Sequence, residues 1–305
     1  MHVGLTPWDF SDPGASALAE QAAFAEAQGY ASFWLPENHF NPNAIPDPLM
    51  LLSGVAAATR RIRLGTTSYL LTLRHPLLAA EQVAVLDQLS AGRVILGVGR
   101  GYAPDMLKAF NVVPGEKREV FETTLAIMRR AWKGEAVEVG EGAAVTVSPL
   151  PSQRPHPPIW VAAFGPKALA QAGRLGLPYL ASPMESMAVL ESNYAAHRAA
   201  GAQHVTCIPV MRSVFVTRGA RETTAVCELL ASIPRPRAGA GAGAGADSAV
   251  NDWAVVGEAS FVRERICEYR ERLGMTHLIV ARLRAGGMDR NRVRESVIEL
   301  PGVLA

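Results

Sequence analysis

The run Gly97-Val98-Gly99-Arg100-Gly101-Tyr102 has the composition of a small anion cradle. Closely spaced glycines leave backbone N–H groups accessible, and a guanidinium offers a planar fork matched to phosphate oxygens. The same run also reads as a glycine-rich turn with a solvated arginine, because short glycine patterns have low specificity. Arg118 opens a helical pattern through Phe121 and Leu125 and could bring a second cation to the same anion. Its other reading is an ion pair with Glu122 four residues on. A helix opening at Gly165-Pro166 could add free N–H groups and the positive end of its dipole.

A second constellation is Pro36-Glu37-Asn38-His39-Phe40, in which a carboxylate and an imidazole lie two residues apart. His39 could exchange a proton, donate to a ring or bind a metal, or it could be a loop histidine satisfied by a backbone carbonyl. A zinc or iron centre would need further ligands. Only His75 offers itself, without Glu-x-x-His spacing, so no metal is expected. Trp8, Phe40, Tyr69, Tyr102 and Phe164 fall near the expected strand ends and could wall a flat ligand or belong to the core. The segment from Leu86 to Arg93 contains Asp, Ser and Arg, but it ends a helix that leads into a strand, where capping and ion pairing explain it better than catalysis.

These residues are carried by an alternation of β-type runs and amphipathic helical patterns, which implies a parallel sheet. Eight strands are expected: His2 to Leu5, Ser32 to Leu35, Ile62 to Leu70, Val94 to Val98, Ile159 to Ala162, Leu177 to Ala181, Val210 to Val216 and His277 to Ala281. Between them, Leu78, Gln82, Val85, Leu86 and Leu89 form one apolar stripe to be laid on the sheet, as do Val262, Ile266, Tyr269 and Leu273. Several helices should stop at glycine, at Gly29, Gly92 and Gly274. Eight such units favour a closed (β/α)8 TIM barrel over an open doubly wound sheet, since the first strand lacks the Gly-x-Gly-x-x-Gly turn of a dinucleotide site. In a barrel, the loops after the strands carry the chemistry, and all the constellations above except the segment from Leu86 to Arg93 lie there. Excursions are expected at 134–158 and 233–253, the latter with a Gly/Ala tract at 238–246 too poor in side chains to order itself.

Composition bounds the function classes. Hydrophobic residues make up 49% of the chain, enough for a large core, and 30 basic against 28 acidic residues leave a net charge of +2 with no basic patch for nucleic acid. Three cysteines, Cys207, Cys227 and Cys267, have neither disulfide nor metal spacing, which fits a reducing cytosol. No apolar window is long enough for a membrane helix, so a soluble cytoplasmic protein without a membrane partner is expected.

Taken together in order, Phe33-Trp34-Leu35-Pro36-Glu37-Asn38-His39-Phe40, Leu64-Gly65-Thr66, His75-Pro76, the run from Leu86 to Arg93, Gly97 to Tyr102, Pro158 to Ala163, Gly176-Leu177-Pro178 and Val256-Gly257 resemble the bacterial luciferase-like flavin-dependent monooxygenases. The resemblance implies an α/β fold, a single luciferase-like TIM-barrel domain over 1–305 with insertions, holding reduced FMN at the strand ends. There oxygen and a small organic substrate would react. It implies FMN contacts from Thr66, Thr67, Ser68, Arg100, Gly101, Tyr102, Arg118, Ala163, Phe164 and Gly165, with Arg100 and Arg118 on the phosphate. It also implies a cis peptide at Thr67-Ser68, catalytic roles for Glu37, Asn38 and His39, and a homodimer. A separate flavin reductase is expected because the chain shows no nicotinamide fingerprint. Asn38 stands where the luciferases proper have their catalytic histidine, so proton exchange would pass to His39, Glu37 or the substrate. Phe164 stands where they have an acidic residue. Two alternatives accompany this reading: a deazaflavin-dependent hydride transfer, to which Lys167 and Arg212 could add positive charge, and a flavin-binding protein without catalysis.

Overall fold

The structure is a computed structural model that describes residues 1–12, 14–138, 143–233, 249–281, 283 and 287–305. The expected Gly/Ala-rich loop at 238–246 lies outside the described residues. In chain order the elements are β1 (His2–Leu5), α1 (Ala15–Ala27), β2 (Ser32–Leu35), α2 (Pro48–Ala58), β3 (Arg63–Thr66), β4 (Tyr69–Leu70), α3 (Pro76–Leu89), β5 (Val94–Gly99), α4 (Pro104–Ala109), α5 (Lys117–Trp132), β6 (Ile159–Ala162), α6 (Pro166–Arg174), β7 (Tyr179–Leu180), α7 (Met187–His197), β8 (Pro209–Val216), α8 (Ala220–Ala231), β9 (Ala254–Gly257), α9 (Ala259–Leu273), β10 (His277–Ala281) and α10 (Arg290–Leu304). The chain divides into two compact units: Met1–Phe10 with Phe24–Trp34 and Ala163–Ala305, and Ser11–Ala23 with Leu35–Ala162.

In the first unit β1 lies parallel to β10, with His2 opposite His277 and Leu5 opposite Val280. β10 continues parallel onto β8, and β8 onto β9. These strands are nearly continuous apolar runs, as parallel strands covered on both faces must be. The sequence reading named neither β9 nor α10. β9 is a four-residue run, Ala254-Val255-Val256-Gly257, next to the low-complexity tract. α10 has an N-cap, Asp289, whose carboxylate accepts from Asn291 N at 2.9 Å. The polar cost of burying Arg212 in β8 is met by four bonds: Nε to Tyr269 Oη, Nη1 to the Ser182 and Met211 carbonyls, and Nη2 to the Glu185 carbonyl. That arginine therefore has no head group to offer a coenzyme tail, contrary to the sequence expectation.

In the second unit β5 is flanked in parallel by β3, β4 and β6, with Leu64 opposite Val94, Tyr69 opposite Val98 and Leu96 opposite Ile159. The single strand expected over Ile62 to Leu70 is thus two, β3 and β4, separated by Thr67-Ser68, whose peptide bond is cis. Thr67 N donates to Leu35 O at 2.8 Å across this break. Of the expected stripe on α3, Leu86 is buried but most of the rest faces outward. Leu78, Val85 and Leu89 are 51%, 43% and 60% exposed, while Ala79, Ala80, Val83, Ala84 and Leu86 are buried. Both faces of this helix are apolar, and the face with small side chains won because it lets α5 approach until Trp132 Nε1 reaches the Ala80 carbonyl at 2.9 Å.

The segment from Leu86 to Arg93 serves structure, as its position suggested. Arg93 donates to carbonyls of Ala56, Thr59, Ile62 and Ser90 and to Thr59 Oγ1. Asp87, fully buried, accepts from Gln153 N and Gln153 Nε2, both at 2.8 Å, which pins the far end of the 134–158 excursion. Within that excursion Val137 and Val145 form an antiparallel bridge.

Candidate active site

Two of the expected constellations form in the second unit, each at the C-terminal end of a strand. The first follows β5. Arg100 is only 7% exposed, and its Nη2 donates to the Ala162 carbonyl at the end of β6 at 2.8 Å, while its guanidinium lies 5.0 Å from the Phe121 ring centroid. The Thr72 hydroxyl donates to the Arg100 carbonyl at 2.8 Å and so fixes the backbone on the other side. Burial, and then the neighbouring charge of Arg118, bring the Arg100 pKa down to about 10. Lys117, at the start of α5, donates to the Gly101 carbonyl at 3.3 Å. Its pKa is lowered by burial and by Arg100 and Arg118. Three like charges from two chain segments thus converge, as sequence reading expected for Arg100 and Arg118. Lys117 was missed, although it directly precedes Arg118.

The glycines of this turn have separate reasons. A Cβ on Gly99 would fall 2.2 Å from Ser68 Oγ, so the residue after the cis peptide fits only because position 99 has no side chain. Gly101 has φ 72°, the left-handed region that glycine adopts at least cost. Tyr102 is 81% exposed. Thr66 is buried, and its hydroxyl donates to the Gly97 carbonyl at 2.7 Å, tying β3 to β5.

The second constellation follows β2. The Glu37 side chain is fully buried and holds three partners. Oε1 accepts from Arg74 Nη1 at 2.7 Å and lies 2.9 Å from His39 Nε2, and Oε2 accepts from Leu70 N at 2.9 Å. Arg74 also donates to the Leu70 carbonyl and lies 4.0 Å over the Tyr69 ring. A carboxylate can only accept, so Nε2 of His39 carries the proton and Nδ1 is the remaining ring atom for chemistry. Asn38 Oδ1 accepts from Ile45 N at 3.2 Å and from Asn41 Nδ2 at 3.3 Å, closing the loop that bears His39. Arg74, which directly precedes the His75-Pro76 pair, gained its importance only from the fold. Tyr69 does not wall a ligand: it is buried with its hydroxyl on Gln82 Oε1 at 3.0 Å, while Phe40 and Tyr102 remain exposed.

The remaining expected residues belong to the first unit. Ala163 is buried and Phe164 is 47% exposed. Gly165 has φ 77° and is the N-cap of α6, with Pro166 as the first helical residue. That is a favoured helix start, because proline lacks the N–H that would be unmatched there. Among the described residues, no group of three or more His, Cys, Asp or Glu is gathered as around a metal ion, and no helix is long and apolar enough to cross a membrane.

The chain is 29% identical over 176 residues to the oxygenase component of the flavin-dependent trigonelline monooxygenase of Acinetobacter baylyi, covering 55% of this chain and 48% of that one. It is 36% identical over 184 residues to the F420-dependent glucose-6-phosphate dehydrogenase of Kineococcus radiotolerans, covering 56% and 53%. The matches span about half the length of these curated relatives. The monooxygenase RslO1 from Streptomyces bottropensis shares the fold along 99% of both chains, with a TM-score of 0.79 and 27% identity. The fold class is accordingly α/β, the luciferase-like (β/α)8 TIM barrel. With the family profile matching residues 4–277, this chain belongs to the luciferase-like monooxygenase family of oxidoreductases.

Proposed function

We propose that the protein is a monooxygenase that binds reduced FMN and uses molecular oxygen to oxidise a small organic substrate. The observation carrying this reading is the buried Arg100 held beside Arg118 and Lys117. Like charges crowded at the end of a strand fit a dianionic phosphate, which is the chemistry of the flavin mononucleotide tail. Reduced FMN, when bound, supplies the electrons that activate oxygen. The residues of the chain then bind, orient and exchange protons. Arg100, Arg118, Gly101 and Tyr102 hold the phosphate end. Thr66, Thr67 and Ser68 shape the floor. Glu37 orients His39, whose Nδ1 gives or takes the proton at the substrate, and Asn38 keeps the loop closed.

The electrons come from a separate flavin reductase, in keeping with the relative named as an oxygenase component. The chain acts as one domain in a homodimer, with the exposed Leu78, Val85 and Leu89 stripe of α3 as the self-association face. A deazaflavin coenzyme with hydride transfer is the second reading, favoured by the F420-dependent relative. Anaerobic titration with reduced FMN, oxidised FMN and F420 decides between them, followed by admission of oxygen. Tight reduced-FMN binding with oxygen-dependent product formation supports the proposal, and preferential F420 binding replaces it with the second reading.

A further inference from the structure

An aromatic group beside His39 has no task in the reading above. The Phe110 ring meets the His39 ring edge-on at 4.9 Å, and Phe40 stacks on Phe110 at 5.6 Å and 24°. Phe40 also approaches His39 at 5.7 Å. The two phenylalanines arrive from different segments. Phe110 follows α4, which is anchored where Met106 and Leu107 pack on Leu70, the residue whose N–H is held by Glu37. Phe40 follows His39 itself and sits at φ 60°, a backbone region that residues with a side chain rarely adopt. Yet these rings are not core: Phe40 is 71% exposed and Phe110 37%, while the His39 side chain beneath them is 8% exposed.

We propose that Phe40 and Phe110 form the substrate subsite, and that the substrate is a neutral, apolar, ring-containing molecule that lies on these rings against His39. Aromatic faces left in water gain most by burying an apolar partner. Glu37, the carboxylate that holds His39, is also engaged with Arg74. The proposal rests on His39 as the reacting residue, and its test is independent of the cofactor.

The test uses the full chain and the neutral naphthalene dye Prodan, whose emission moves to the blue on leaving water. Phe40→Ala and Phe110→Ala should each weaken Prodan binding about tenfold. Phe110→Leu, which keeps apolar bulk and guards against a folding defect, should weaken it only a few-fold. Reduced-FMN affinity, measured on the same samples, should not move. Unchanged Prodan affinity in the folded Phe40→Ala/Phe110→Ala double variant would overturn the proposal. So would conversion of a dimer to a monomer by that variant, since the rings would then be covered by a second copy. If FMN binding proves insensitive to Arg100 while Prodan binding depends on the rings, the cofactor reading fails and the subsite stands.

Discussion

Replacing Arg100 by methionine should separate the energetic role of this residue in the free protein from its role toward the flavin. In the free protein burial and the charge of Arg118 bring the guanidinium pKa down to about 10, so its charged form is disfavoured by roughly 3 kcal/mol. That penalty is present throughout the neutral range, since a base with a depressed folded pKa is relieved only as the pH rises past about 10. Methionine removes the penalty but also removes the bond to the Ala162 carbonyl and the contact over Phe121, together worth about 2–3 kcal/mol. The effects nearly cancel, so unfolding free energy without ligand should change by less than about 1 kcal/mol. Flavin binding should respond differently. One charge-assisted bond to phosphate is worth about 1.5–3 kcal/mol, so affinity for reduced FMN should fall about 10- to 150-fold. Anaerobic fluorescence titration measures the affinity, and urea denaturation measures the stability of the same sample. An affinity within about twofold of the parent would refute the anion cradle, because a contact of this strength must show at least tenfold.

Four further outcomes are expected. Glu37→Gln leaves Arg74 and His39 without their shared carboxylate and should cost about 3 kcal/mol of stability in urea denaturation, with turnover lowered and FMN affinity retained. Asp87→Ala should destabilise by about 2–3 kcal/mol, because the Gln153 N–H and amide lose their buried acceptor, and hydrogen exchange should rise around Gln153. Burial raises the pKa of Glu185, which accepts from Tyr179 Oη, Ser182 N and Asn193 Nδ2. A raised folded pKa means that its contribution to stability is present below the unfolded carboxyl pKa and is lost as pH rises through the folded value. The melting temperature of Glu185→Gln relative to the parent should therefore increase with pH across that window, and a constant difference would argue against it. Leu89→Glu on the exposed face of α3 should give a monomer in sedimentation analysis with no loss of fold.

The alternation of apolar strands and helices, the glycine density after β5 and the arginines at 100 and 118 were legible in the sequence, because period and residue type are local properties. The helix stops at Gly29, Gly92 and Gly274 were legible for the same reason, and all three have positive φ. The break of one expected strand into β3 and β4 was not, since it depends on Leu35 accepting from Thr67 and on Ser68 seating against Gly99. The direction of α3 was undecidable from its pattern: both faces are apolar, and only the close approach of α5 selected the alanine face. Arg212 looked available as a free charge until the fold enclosed it among carbonyls and Tyr269. Lys117 and Arg74 became functional candidates only once distant segments met, for the pairing of a charge is a property of three-dimensional neighbours that no linear spacing encodes.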